Sequence, residues 1–178
     1  MLLPILIIVA VLIAAFLILA AFQPSETRVT RSTLISAPPA AAFLQVNDLD
    51  RWQAVSPYAK MDPKAKTTFT GPRAGKDAAL AWDGRRIGAG RMTVIESQPD
   101  RLVRYQLDFL RPFKSTGFAE FTFEPAGTQT AVTWTMHGSK NFLSKAMGLV
   151  VNMDRMIGQQ FESGLVSIKA AAESLNPS

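Results

Sequence analysis

The hydrophobic residues of this chain change their spacing once, and that change limits the fold more than any other sequence feature. Over residues 66–137, apolar and polar side chains alternate in about six short segments. Such alternation is typical of antiparallel strands that bury only one face. Over residues 154–175 the apolar side chains recur instead at every third or fourth position, which predicts one long amphipathic helix.

Shorter elements precede the alternating segments. Residues 27–36 are rich in β-branched side chains and predict a first strand. Residues 40–46 and 49–55 predict two short helices, the second of which is stopped by Ser56-Pro57. Residues 142–151 predict a helical segment that leads into the long helix.

A sheet with one apolar face needs a cover, and the C-terminal helix is the only predicted element long enough to supply it. The sequence therefore predicts an α+β domain in which a curved antiparallel sheet wraps around the long C-terminal helix, while the two short helices close one end. This arrangement leaves a cavity between helix and sheet. The side chains expected to line it are Trp52 near the mouth and, on the strands, Trp82, Met92, Tyr105, Phe109, Phe121 and Trp134.

The N-terminus carries a second strong signal, because the first 22 residues contain no charged side chain. As a helix, the run from Leu2 to Phe22 would be about 31 Å long, which matches the roughly 30 Å thickness of a hydrocarbon core. A cleaved signal peptide would need basic residues before a shorter apolar core. We therefore predict an uncleaved transmembrane anchor over residues 1–22, a linker over 23–26 and the domain over 27–178.

The spread of the charged residues is that of a solvated basic surface, and it also suits a domain beside a membrane. Arg28 and Arg31 follow the apolar run, whereas no basic side chain precedes it, so the positive-inside rule favours a single-pass protein with its domain on the cytoplasmic side. The formal net charge of +5 suits a domain beside anionic lipid. Because the basic residues are spread singly and in pairs without a recognition-helix pattern, no nucleic-acid partner is predicted.

Few residues are suited to catalysis or metal binding. The chain has no cysteine and one histidine, His137, which argues against thiolate and zinc sites, and no metal or cofactor is predicted. His137 is also a candidate general base, but no carboxylate is near it in sequence and the alternation turns it outward. Asp108 and Glu120 fall on the predicted solvent face, while Glu162 and Lys169 lie off the helix's apolar stripe. No catalytic residue is therefore assigned.

Several short segments, together with this order of elements, resemble the START-like superfamily, also called SRPBCC or Bet v 1-like, and within it the bacterial polyketide cyclase/dehydrase branch. They include Ile35-Ser36-Ala37-Pro38, Asp48-Leu49-Asp50-Arg51-Trp52, Gly88-Ala89-Gly90-Arg91-Met92, Thr133-Trp134-Thr135-Met136 and Gly158-Gln159-Gln160-Phe161-Glu162. The resemblance covers residues 27–175. It implies a helix-grip fold with an apolar tunnel, whose members bind lipids, sterols, polyketides or hormones, while a minority catalyse cyclisation or dehydration.

The expected function is a membrane-anchored binding domain for a hydrophobic or amphipathic small molecule, such as a lipid or a polyketide-like compound. Two alternatives stay open. A cyclase/dehydratase of the aromatase type would need acid and base groups inside the cavity, and the inward faces are almost wholly apolar. A protein-interaction module would need no cavity at all. The protein partner and the identity of any ligand are not indicated by the sequence.

Overall fold

A computed structural model describes residues 2–139, 142–150 and 152–175. The helices are α1 (Leu2–Ala21), α2 (Pro39–Asn47), α3 (Leu49–Val55), α4 (Pro57–Met61), α5 (Phe142–Val150) and α6 (Met153–Ser174). The strands are β1 (Glu26–Ile35), β2 (Lys66–Thr70), β3 (Ala79–Asp83), β4 (Ala89–Gln98), β5 (Leu102–Arg111), β6 (Ser115–Ala126) and β7 (Gln129–Ser139). Val151, where the predicted lead-in ends, lies outside the described residues.

The seven strands form one curved antiparallel sheet with the order β1-β7-β6-β5-β4-β3-β2. The strands β2 to β7 follow one another as a meander, and β1 pairs with β7 at the far edge. Helix α6 crosses the concave side near β1 and is flanked by the short helices. The predicted helix-grip fold, with its sheet, its long C-terminal helix and its N-terminal apolar helix, is confirmed.

The register places the predicted apolar residues on one side of the sheet, which we call the inner face. Trp134, Phe121 and Val103 lie opposite one another on β7, β6 and β5. Two residues further along each strand, Met136, Ala119 and Tyr105 form the next row. Two further rows lie closer to the end of the sheet at which β1 begins. The first row consists of Gly138, Gly117, Leu107, Met92 and Leu80, and the second of Ser115, Phe109, Gly90 and Trp82.

The buried stripe of α6 covers only part of the inner face. Phe161, Leu165 and Ile168 are at most 2 % exposed. Gly164 allows a close approach to the sheet, since a Cβ atom there would lie 2.7 Å from the Trp134 ring. The predicted packing of the helix on the sheet is therefore confirmed at its centre.

The sequence prediction omitted one short helix. Ser56 and Pro57 do end α3, as expected, but Pro57 also occupies the first turn of α4. A proline is tolerated there because its missing N–H would have no partner within the helix. Asp48 caps α3 by accepting hydrogen bonds from the backbone N–H groups of Asp50 and Arg51.

Helix α1 has the length and composition of a membrane span. Its segment Leu3–Ala21 comprises 19 residues with a mean hydropathy of 3.2, and only 6 % of it is buried. A signal sequence near the N-terminus has the same length and composition. The amphipathic helix α5 packs against α1.

Candidate functional site

Four of the seven expected cavity residues pack against one another. Trp52 of α3 lies with its ring centroid 5.4 Å from that of Trp134, 5.6 Å from Phe121 and 6.1 Å from Tyr105. Phe161 of α6 stacks on Trp134 at 3.9 Å. We call these five residues the aromatic cluster. All are at most 5 % exposed, so the rings fill this part of the interior themselves.

The polar atoms of the aromatic cluster differ in whether they have a hydrogen-bond partner. The Tyr105 hydroxyl donates a hydrogen bond to the backbone carbonyl of Val46. Burial also raises the pKa of Tyr105 above its ordinary value, because the phenolate would be left without water. The indole N–H of Trp134 is buried and has no acceptor among the described residues.

Trp52 lies deeper than expected. The sequence placed it near the cavity mouth, but α3 lies over the sheet and inserts the indole between the rings of β5, β6 and β7. Its neighbours Leu49 and Val55 are buried as well, so α3 directs its apolar side into the core. Trp52 is therefore part of the hydrophobic core.

The other expected residues lie further along the inner face, where packing is looser. Trp82 and Phe109 meet edge to face with ring centroids 6.0 Å apart. Both rings are only partly buried, as are Leu107 and Met136. We call this region the open floor; it comprises Trp82, Leu107, Phe109 and Met136, the buried Met92, and the glycines Gly90, Gly117 and Gly138.

At the centre of the open floor, two of these glycines leave the sheet without side chains. Gly117 and Gly138 lie opposite each other on β6 and β7. A Cβ atom built at Gly117 would meet only the His137 carbonyl oxygen within 4 Å, and one at Gly138 only backbone atoms of Gly117 and Thr116, as far as the described residues extend. Those atoms all belong to the adjacent strand. Within 4 Å of either Cβ position, no atom of an overlying element is found among the described residues, although Gly117 itself is buried.

A third glycine serves a different purpose. The Trp82 ring lies over Gly90, where a Cβ atom would be 2.4 Å from the indole. The Trp82 N–H donates a hydrogen bond of 3.3 Å to the Ile87 carbonyl, which fixes the ring orientation. Gly88 has a φ of +69° and passes close to the Arg111 carbonyl. The Gly88-x-Gly90 segment is thus a turn entering β4.

The inner face offers little acid–base chemistry. Within the described strands, Arg31 and Tyr105 are its ionisable residues, apart from Arg111 at the rim. The Arg31 guanidinium donates to Asp154 at 3.0 Å and to Glu162 at 2.9 Å. These carboxylates raise the pKa of Arg31 through hydrogen bonds, which keeps it charged. Both inward ionisable groups are therefore already engaged within the protein.

The candidate general base and the predicted surface carboxylates lie on the opposite face. His137 is exposed and stacks on Phe118 at 5.5 Å. Glu120 accepts a 2.8 Å hydrogen bond from Arg104, and Asp108 accepts one of 2.9 Å from Thr116. These groups are separated from the open floor by the sheet itself.

Sequence reasoning missed some features of the site. The sequence predicts Arg31 as a charge flanking the apolar run and Glu162 as a surface charge, yet the two form an ion pair between β1 and α6. The opposed pair Gly117 and Gly138 was also missed. Its sequence signal was a glycine at an inward position of two alternating segments, but their opposition depends on the strand register.

Comparison with known proteins agrees with this architecture. The family described as polyketide cyclase / dehydrase and lipid transport matches residues 26–173. Comparison with curated proteins found no matching sequence.

Several solved structures are similar over most of the chain. Protein CV1439 from Chromobacterium violaceum is 14 % identical, with a TM-score of 0.59, and the match covers 84 % of this chain and 98 % of that one. The Aha1 dimer from Colwellia psychrerythraea is 16 % identical, with a TM-score of 0.56 and coverages of 83 % and 96 %.

A third similar structure is the di-domain ARO/CYC StfQ from the steffimycin biosynthetic pathway. It is 13 % identical, with a TM-score of 0.61, and the match covers 84 % of this chain and 52 % of StfQ. At such identities the likeness shows the fold alone. The family match, in contrast, spans nearly the whole domain, and it shows that this chain belongs to the polyketide cyclase / dehydrase and lipid transport family.

Proposed function

We propose that the domain binds a hydrophobic or amphipathic small molecule, such as a lipid or a polyketide-like compound, on the open floor. We further propose that α1 anchors the domain in a membrane. The open floor carries the first proposal, since its side chains Trp82, Leu107, Phe109 and Met136 are apolar and partly exposed. At its centre the opposed residues Gly117 and Gly138 have no side chain.

Binding would be driven by removal of apolar ligand surface from water. Burying about 300 Å² of such surface would contribute roughly 7 kcal/mol before the costs of association are subtracted. Trp82, Leu107, Phe109 and Met136 supply an apolar lining for it. Their partial exposure means that a ligand would also bury protein surface that the fold leaves accessible.

The inner face suits binding better than catalysis. A cyclase or dehydratase needs groups that take and give protons within reach of the substrate. The Tyr105 hydroxyl is held by the Val46 carbonyl, and Arg31 is held by Asp154 and Glu162. The described open floor itself is lined by side chains without an exchangeable proton, except for the Trp82 indole, which is bound to Ile87.

The test is mass spectrometry of small molecules that remain bound to the full chain after gentle detergent extraction. In Gly138→Leu, the new side chain would project into the space above the open floor. Thr122→Leu places the same side chain on the other face of the sheet and is the matched control. We expect the native chain and the control to retain an apolar molecule that Gly138→Leu lacks, and equal retention by all three would contradict the proposed site.

The anchor is tested separately. The intact mass of the protein extracted from membranes should include residues 1–22, and carbonate washing should leave it in the membrane fraction. A mature N-terminus near Phe22 would show that α1 is a cleaved signal sequence.

A further inference from the structure

The sheet has two ends, and one of them gathers several loops beside α1. The antiparallel register brings together the start of β1, the end of β3, the start of β4, the end of β5 and the start of β6. The loops at residues 84–88 and 112–114 lie side by side there, because Arg111 pairs with Asp83 and its carbonyl approaches Gly88. We call this end of the sheet the basic end.

The exposed charges at the basic end are mostly positive. The basic residues on its loops and strand termini are Lys64, Lys66, Arg85, Arg86, Arg111 and Lys114. Two acidic residues there are committed to the protein: Asp83 pairs with Arg111, and Asp62 accepts a 2.8 Å hydrogen bond from the Arg86 backbone N–H. Glu26 adds one further carboxylate.

The opposite end of the sheet has no such excess. Its loops mix Arg73, Lys76 and Arg101 with Asp77 and Asp100. Of these, Arg73 is paired with Asp48 at 2.9 Å. The two ends of the sheet therefore differ in charge.

Large apolar side chains are exposed among the basic residues. Leu110 is 55 % exposed and Phe113 is 52 % exposed on the β5–β6 hairpin, and Phe142 at the start of α5 is 51 % exposed. A shallow hollow of about 480 Å³ at this hairpin is lined by residues 108–110 and 114–116, and so adjoins the open floor at Phe109. Exposed apolar and basic groups together are typical of surfaces that contact the interface of an anionic bilayer.

The short connection to α1 indicates which kind of surface the basic end contacts. Helix α1 ends at Ala21 and β1 begins at Glu26, so the link between them can span no more than about 18 Å. If α1 crosses a bilayer, as proposed above, the basic end must lie next to the lipid headgroups. We propose that the basic end is a docking surface for anionic lipid headgroups, with Phe113 and Leu110 entering the interface. The open floor then faces the bilayer, which is a source of amphipathic ligand.

The chain contains no cysteine, so a single introduced cysteine gives a unique site for an environment-sensitive dye. The full chain is reconstituted in nanodiscs of phosphatidylcholine alone or with about one third phosphatidylserine, with the dye on Phe113→Cys. The control is Thr128→Cys, which labels the β6–β7 turn at the opposite end. We expect the dye at position 113 to shift to the blue and to be quenched several-fold by a lipid-borne quencher, more strongly in the anionic discs, whereas position 128 does not respond.

A charge-reversed variant completes the test. Arg85→Glu, Arg86→Glu and Lys114→Glu together should reduce the lipid response at position 113 several-fold, and high salt should weaken it in the native sequence. Tryptophan fluorescence checks that the variant is folded. An identical response at 113 in neutral discs, anionic discs and detergent, or a response at 128 instead, would overturn the docking surface.

The charge-reversed variant also separates failure of the ligand proposal from failure of the docking proposal. The charge-reversed variant should keep the molecule that co-purifies with the detergent-extracted protein, because the substituted residues lie outside the open floor. Loss of lipid contact with the molecule retained would support docking as a separate property. Lipid contact in a protein that carries no molecule would leave docking intact and contradict only the ligand proposal.

Discussion

The Trp134 ring stacks on the Phe161 ring with centroids 3.9 Å apart and planes only 7° from parallel. This contact joins β7 to the middle of α6 and lies at the centre of the aromatic cluster. Phe161 is fully buried, and Trp134 is 3 % exposed. The stack therefore fixes where the long helix lies on the sheet.

Removing the Phe161 ring should destabilise the domain strongly. Phe161→Ala is expected to lower the free energy of unfolding by about 3–5 kcal/mol, because it leaves a cavity against Trp134. All three tryptophans lie in the domain, so the fluorescence of the full chain in detergent reports its denaturant unfolding. Val166→Ala on the same helix, where the side chain is 67 % exposed, should change stability by at most about 0.5 kcal/mol. Equal effects of the two substitutions would refute this packing.

Gly158→Ala should disturb the ion pairs of Arg31. A Cβ atom at position 158 would lie 2.0 Å from the Arg31 guanidinium, so this group would have to shift relative to Asp154 and Glu162. We expect a lower melting temperature for this single variant.

The same substitution should act differently once Arg31 has been shortened. In an Arg31→Ala background, Gly158→Ala is expected to stabilise the domain by up to about 1 kcal/mol, because alanine favours a helix over glycine. A double-mutant cycle of thermal unfolding measures this change of sign. Destabilisation of equal size in both backgrounds would show that Arg31 is not the reason for the glycine.

Acid should weaken the domain partly through Asp62. Hydrogen bonds from the backbone N–H groups of Arg86, Ile87 and Arg85 lower the pKa of Asp62 below its ordinary 3.8. A lowered pKa in the folded state contributes stability above the unfolded value, and this contribution is lost as the pH falls through the folded value. The stability difference between the native chain and Asp62→Asn should be constant above about pH 5 and shrink below about pH 4. Parallel pH profiles of the two proteins would contradict this assignment.

Alkali should unfold the domain together with ionisation of its tyrosines. The chain has two tyrosines; burial raises the pKa of Tyr58 to about 12 and that of Tyr105 above its ordinary value. Raised pKa values stabilise the fold fully below about pH 10, the unfolded value, and this contribution is lost as the pH rises further. We expect little phenolate absorbance between pH 10 and 11, and then a rise that coincides with loss of circular dichroism. Ordinary titration near pH 10 in a folded protein would contradict the raised pKa values of the two tyrosines.

The sequence by itself determined the elements and the direction in which most side chains point. A period of two in residues 66–137 and a period near 3.6 in α6 reflect local backbone geometry, so the inward positions of Trp82, Tyr105 and Phe121 could be predicted from spacing alone. Likewise, the charge-free run of α1 defined a helix of membrane length.

Only the tertiary structure decided which inward residues meet one another and which stay partly exposed. Trp134 and Phe109 have the same alternating pattern, yet the first is covered by Phe161 from α6 and the second remains half-buried on the open floor. The pairing of Arg31 with Glu162 and the opposition of Gly117 and Gly138 likewise join residues from different elements. Alternation fixes the face of a strand, but burial depends on what packs over that face, and that is set by residues distant in sequence.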